Sequence, residues 1–123
     1  MNLVDSSGWL EYFADGENAS FFAPIIEDTD NLFVSTINIF EVFKIVLSQR
    51  GEDKAIEAIA ILRQGKVVDV TPKISLDAAK LSYDMKLPMA DSIILITARM
   101  HNAKLWTQDK DFQQFSDVNY IKK

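Results

Sequence analysis

Four carboxylates stand at strand ends or in the first turns of helices. Asp5 closes the opening Leu3-Val4-Asp5, and Glu41 lies in the first turns of an apolar helical run. Asp91 follows Leu87-Pro88-Met89-Ala90, and Asp109 follows Leu105-Trp106-Thr107-Gln108. Hydroxyls accompany them at Ser6, Ser7, Ser35, Thr36, Ser92 and Thr107. Four carboxylates gathered in one place repel strongly, and only cations relieve that repulsion. Oxygen donors without Cys or His select a hard ion, Mg²⁺ or Mn²⁺. Such an ion activates water and offsets the charge that builds on a phosphodiester during cleavage.

Each acid taken alone also has a structural explanation. An Asp after a strand serves as a turn or cap residue, which covers Asp5 and Asp109. Asp91 could cap its helix or complement the helix dipole. Glu41 is flanked by Ile39, Phe40, Val42 and Phe43, where a carboxylate is costly unless partnered. Lys44, three residues on, is the partner that helical spacing offers. Other chemistries find little support. The chain has no cysteine, one histidine (His101, at a helix end) and four glycines. Thiol nucleophiles and thiolate zinc sites are absent, Ser6 and Ser7 lack the glycines of a nucleophile elbow, and no phosphate-binding glycine loop exists.

The elements that must position these acids alternate in type. Leu3-Val4 reads as a strand running into the polar turn Asp5-Ser6-Ser7-Gly8, followed by helical segments over 9–13 and 19–27. Leu32-Phe33-Val34 is a second strand. Helices are expected over 37–49, stopped by Gly51, and over 53–64, with Gly65 at the C-terminal end. A β-branched strand over 67–70 closes at Thr71-Pro72, and helices follow over 75–86 and 90–101, the latter apolar nearly all round from Ile93 to Met100 and therefore central. Leu105-Trp106-Thr107 is a fourth strand, 109–115 a helical turn and 118–121 a fifth strand. Strands alternating with helices predict an α/β domain of three layers, α/β/α, with a parallel sheet covered on both faces. In such sheets ligands bind at the carboxyl ends of the strands, the end to which all four acids belong.

The whole chain, 1–123, reads as one domain, since 123 residues with 48% apolar content suffice for one core. The net charge of −5 argues against binding nucleic acid through a basic surface. It is compatible with a nuclease whose cations are metal ions, and with a basic protein partner. The opening has no basic and apolar signal pattern, and no apolar run reaches the roughly 20 residues of a membrane span. With no cysteine, the expectation is a soluble, cytoplasmic protein with no membrane partner.

Four segments in order resemble the motifs of the PIN-domain family, and more narrowly its VapC-like toxins of toxin–antitoxin pairs. They are Leu3-Val4-Asp5-Ser6-Ser7, then Ser35 to Glu41, then Leu87-Pro88-Met89-Ala90-Asp91-Ser92, then Leu105 to Phe112. The third is the most specific, and the set spans the chain. The resemblance implies a parallel five-stranded sheet between helices. It implies Asp5, Glu41, Asp91 and Asp109 as metal-site acids binding Mg²⁺ or Mn²⁺, with Ser7 and Thr107 as supporting hydroxyls. Asp111 lies two residues from Asp109, and either could be the fourth acid facing the site. The implied activity is endoribonucleolytic cleavage of RNA by metal-activated water. The implied partners are a cognate antitoxin, wrapped over the early helices, and a second copy in a homodimer.

Three rivals compete with this reading. A phosphoacceptor signalling module wants an acceptor Asp after the third strand, where this chain has Val70-Thr71-Pro72. A PIN-fold protein that acts only by binding is opposed by the intact acids. A metal-dependent nuclease or phosphatase with another substrate, DNA included, remains open. Seven aromatics crowd the first third (Trp9, Tyr12, Phe13, Phe21, Phe22, Phe40 and Phe43), mostly as core with a remainder for a partner face. Lys44, Arg50, Arg99, Lys104 and Lys110 are the basic residues placed to follow an RNA backbone.

Overall fold

The first strand passes into the first helix without a turn. In the computed structural model, which describes residues Met1–Lys123, β1 (Asn2–Val4) is followed by α1 (Ser6–Phe13). The amides of Gly8 and Trp9 donate to the Asp5 carbonyl at 2.9 and 3.2 Å, which closes the first helical turn at once. The polar residues Ser6 and Ser7 expected in a turn are therefore helical, and the helix is longer than the apolar pattern suggested. Gly8 has a specific reason to be small. A Cβ there would meet Phe22 and Val4 at 2.7 Å, so α1 presses against β1 and its neighbour helix only because position 8 is bare.

The remaining elements are α2 (Ala19–Glu27), β2 (Leu32–Ser35), α3 (Thr36–Arg50), α4 (Glu52–Leu62), β3 (Lys66–Val68), α5 (Pro72–Met85), α6 (Met89–Met100), β4 (Lys104–Thr107) and β5 (Val118–Tyr120). Single 3₁₀ turns lie at Thr29–Asn31 and Lys110–Phe112, the second shorter than the helical turn expected over 109–115. Gly51, at φ 87°, ends α3 and starts α4, folding the two helices into a hairpin. β3 begins and ends earlier than expected because its pairing runs out with β2, Ser35 facing Val68. Thr71 and Pro72, read as the close of that strand, instead start α5. Thr71 accepts the Ile74 amide at 3.2 Å and Pro72 occupies the first helical position, where a missing N–H costs nothing.

All five strands are parallel, in the order β3-β2-β1-β4-β5. Successive strand residues point to opposite faces, and the core divides accordingly. Val4, Leu32 and Val34 join Trp9, Phe22, Ile26, Val42 and Leu62 beneath α1 to α4. Leu3, Phe33 and Leu105 join Ile94, Leu95 and Ala98 of α6 on the opposite face. Each fully buried Leu, Ile or Phe stabilises by about 1.5–3 kcal/mol, so both faces hold the sheet. The result is the three-layer α/β/α domain expected. Of the seven early aromatics, Trp9 and Phe22 are fully buried and Phe40 is the exposed one. No helix is long and apolar enough to cross a membrane.

Candidate metal centre

The strand order reverses between β1 and β4, so the loops leaving their carboxyl ends diverge and open a crevice there. β1 delivers Asp5 to that crevice and β4 delivers Thr107, Gln108 and Asp109. The two strands are held in register, with Val4 opposite Trp106 and the Asp5 amide donating to the Trp106 carbonyl at 2.9 Å. Thr107 links them again through its side chain. Its hydroxyl donates to Asp5 Oδ2 at 2.9 Å and accepts the Asp109 amide at 3.0 Å. Ser7 donates to the same Asp5 oxygen at 2.7 Å. Asp5 does not cap α1 with its side chain; the carboxylate is turned inward and is 2% exposed.

Glu41 enters from α3, one turn and a half past the helix start. Its partner is Ser6, whose hydroxyl donates to Glu41 Oε1 at 2.7 Å. Lys44, the partner that helical spacing offered, instead lies 5.9 Å from the Phe40 ring centre. A residue that sequence reasoning missed stands behind this contact. Asn38, fully buried, donates through Nδ2 to Ser6 at 2.9 Å while its Oδ1 accepts the Ser35 amide at 3.0 Å. Ser35 in turn accepts the Ile37 amide at 3.1 Å, so the two residues form a capping box. The signal was present in the spacing Ser35-Thr36-Ile37-Asn38, a hydroxyl with an amide three residues on. One helix start thus both ends the strand and fixes the chain Asn38–Ser6–Glu41.

The third group is open. Asp91, on the first turn of α6, Asp109 and Asp111 place one carboxylate oxygen each within 4.8 Å of the others. Both members of the Asp109/Asp111 alternative therefore lie beside Asp91. Asp109 also has the structural role considered for it, since its Oδ1 accepts the Asp111 amide at 2.9 Å. Asp91 does not cap α6, and no side chain or amide donates to it.

The electrostatics follow this layout. Burial pushes the Asp5 carboxyl up to about 6; the Ser7 and Thr107 hydrogen bonds hold it down, and the charges of Asp109 and Glu41 raise it further. Asp91 is pushed up to about 8, first by burial and then by Asp5, Asp109, Asp111 and Glu41. Asp91 is less buried than Asp5 yet rises further, because no donor opposes the repulsion. The three ion pairs of the protein, Lys54–Glu57, Lys73–Asp77 and Arg99–Asp117, involve none of these acids. Asp5 and Asp91 both sense Asp109 and Glu41, and a group of carboxylates with oxygen donors only and no cationic side chain in an ion pair with it fits a hard divalent cation.

The family model described as PIN domain matches residues 3–118. The chain belongs to the PIN domain family. Solved structures agree on the fold. A toxin–antitoxin complex from Klebsiella pneumoniae superposes with a TM-score of 0.78 at 23% identity, covering 96% of this chain and 95% of that one. The sarcin-ricin-loop-cleaving toxin VapC20 of Mycobacterium tuberculosis gives 0.78 at 17% identity, covering 96% and 98%. VapBC-1 from nontypeable Haemophilus influenzae gives 0.74 at 21% identity, covering 98% and 96%. A comparison with curated proteins finds no match. In this PIN domain the expected acids Asp5, Glu41, Asp91 and Asp109 surround one crevice, Ser7 and Thr107 hold Asp5, and Asp111 joins the open group. Of the basic residues expected to follow RNA, Arg99 is engaged with Asp117 at 2.8 Å and with the Phe115 ring.

Proposed function

We propose that this PIN domain is a Mg²⁺- or Mn²⁺-dependent endoribonuclease, the toxin of a toxin–antitoxin pair, acting in the cytoplasm. Membership of a nuclease family supports hydrolysis of nucleic acid. The observation that carries the metal dependence is Asp91, whose carboxyl faces Asp5, Asp109, Asp111 and Glu41 with no cationic partner from the chain. Asp91, Asp109 and Asp111 would hold the ion, with Asp5 and Glu41 completing the acidic wall. A bound divalent ion supplies charge neutralisation at the scissile phosphodiester and makes nearby water a stronger nucleophile.

The chain's own residues do the positioning. Thr107 and Ser7 both donate to Asp5 Oδ2, which commits that oxygen to the protein and leaves Oδ1 without a side-chain donor. Ser6 and Asn38 hold Glu41 from the helix side. Such positioning partners are worth about 10–100-fold in metal affinity or activity. RNA is the substrate we assign, in line with the RNA-loop-cleaving toxin among the similar structures.

The toxin–antitoxin complexes among those structures support an antitoxin partner. A cavity of about 530 Å³ between α1, α3 and α4, lined by Leu10, Phe13, Ile45 and Ile61 beside Arg50 and Lys54, suits an amphipathic segment of such a partner. The exposed Leu76 and Tyr83, two turns apart on α5, supply an apolar ridge for the homodimer we include in the proposal. The test is the melting temperature of chelator-stripped protein with added Mn²⁺, for wild type and Asp91→Asn, alongside cleavage of total RNA. A ligand at about 100 times its dissociation constant stabilises by about 2.7 kcal/mol. A shift of that size confined to wild type, with Mn²⁺-dependent RNA cleavage, is the expected result. No shift in either protein overturns the metal site.

A further inference from the structure

The carboxyl-terminal tail is tied down beside the acids. The Ile121 amide extends the β4–β5 ladder by donating to the Thr107 carbonyl at 3.0 Å. One residue later, Asn18 Nδ2 donates to the Lys122 carbonyl at 3.2 Å and to Gln108 Oε1 at 3.0 Å. The half-buried Asn18 amide thus joins the α1–α2 loop to the buried Gln108 after β4 and to the tail. The clamp sets Lys122 and Lys123 on one rim of a second cavity, of about 560 Å³, with Lys110 and Tyr120 on its walls. Its remaining lining is Ser7, Gln108 and Asp109. This basic recess therefore opens directly onto the acidic crevice, sharing Ser7 and Asp109 with it.

The placement runs against the rest of the molecule. The chain carries 18 acids and 13 lysines and arginines, yet this recess holds three lysines and one acid. None of the three lysines is in an ion pair. Tyr120 stands opposite Thr107 in the parallel register, so its ring rises on the side of the sheet where Thr107 reaches Asp5. An aromatic ring among ammonium groups is the combination that holds single-stranded nucleic acid, charge tracking the backbone while bases stack. A folded acidic domain gains such affinity only locally, since its overall field opposes a polyanion.

Building on the ribonuclease reading, we infer that the recess formed by Lys110, Tyr120, Lys122 and Lys123 binds the single-stranded RNA flanking the scissile phosphate. The lysines neutralise backbone phosphates next to the acidic crevice, and Tyr120 stacks against a neighbouring base. Since Asn18 holds the Lys122 carbonyl, the backbone that carries these lysines is tied beside the crevice.

The experiment is fluorescence anisotropy with a fluorescein-labelled single-stranded oligouridylate, bound in Ca²⁺, across a salt series. Wild type is compared with the Lys110→Gln/Lys122→Gln/Lys123→Gln triple variant and with Tyr120→Phe and Tyr120→Ala. Each lost phosphate contact removes about 0.7 from the slope of log affinity on log salt for single strands. Three of them make wild type lose roughly 20-fold more affinity than the triple variant between about 50 and about 200 mM salt. Tyr120→Ala should weaken binding about tenfold with the slope unchanged, and Tyr120→Phe should bind as wild type. An unchanged slope in the triple variant overturns the inference. So does wild type that ignores the RNA, including the case where it binds a labelled polyglutamate through these lysines. The Mn²⁺-induced melting shift, measured on the same samples, reports on the acids separately. It should persist in the triple variant, and its absence from wild type would fail the metal reading whatever the lysines do.

Discussion

Two halves of the acidic crevice are built on opposite principles. On the β1 and α3 side every carboxylate has a protein donor: Ser7 and Thr107 for Asp5, Ser6 for Glu41, with Asn38 behind Ser6. On the α6 side, Asp91 meets Asp109 and Asp111 with no donor of its own. The first half is preorganised before anything binds. The second stores repulsion that a cation would relieve. A metal site divided this way gains geometry from one half and affinity from the other.

The largest expected effect tests that division at its two poles. Asp91→Asn and Asp5→Asn should each lower RNA cleavage by about 10²-fold or more. Their effects on the chelator-stripped protein should differ. Asp91→Asn removes repulsion and no hydrogen bond, and should raise the melting temperature by roughly 3–6 °C, about 1 kcal/mol at this length. Asp5→Asn gives up a charged acceptor shared by two hydroxyls and should gain less. Equal stabilisation by the two changes would erase the distinction.

Next in size is the response to pH. Both folded-state carboxyls lie above the ordinary 3.8, at about 6 for Asp5 and about 8 for Asp91. The metal-free folded state therefore binds protons more tightly than the unfolded chain. Its extra stability is complete below about pH 3.8 and is lost as pH rises through about 6 and then about 8. Thermal melting in chelator should fall across that window, and Asp91→Asn should remove the upper part of the fall. Because an ion must displace those protons, the Mn²⁺-induced shift should grow over the same range. A flat profile in chelator would mean the acids do not sense one another.

Smaller effects belong to the supporting residues. Thr107→Val and Ser6→Ala should each reduce cleavage about 10–100-fold, with Asp91 left in place and Mn²⁺ binding weakened rather than abolished. Calorimetric titration of Mn²⁺ separates that outcome from a general loss of folding. The smallest effect should come from Asp111→Asn, compared with Asp109→Asn in the same assay. Asp111 is the more exposed and supports nothing further, whereas Asp109 also caps the turn that carries Asp111. A larger loss from Asp111→Asn would make it the principal fourth acid.

The elements were legible because their signals are local. The continuous apolar runs Leu3-Val4 and Leu32-Phe33-Val34 marked strands covered on both faces, and Gly51 stopped α3 at a positive φ. Misjudged boundaries have local causes too. Ser6 and Ser7 read as turn residues because polar side chains facing a site look like those facing solvent. Thr71-Pro72 read as a strand end because a capping threonine and an N1 proline also terminate strands.

The sequence by itself determined the strand–helix alternation, the α/β class and the identity of the acids, since each depends on residues a few positions apart. Tertiary structure alone decided what those acids do to one another. The partner of Glu41 is Ser6, 35 residues away, and the donor to Asp5 is Thr107, 102 residues away. The strand order that sets β1 beside β4, and the Asn18 amide that ties down the tail across 104 residues, are equally distant choices. Helical spacing could offer Glu41 only Lys44, because local periodicity ranks neighbours along one element. Burial against a second element, which costs a carboxylate its water and rewards the nearest donor, is what selected Ser6 instead.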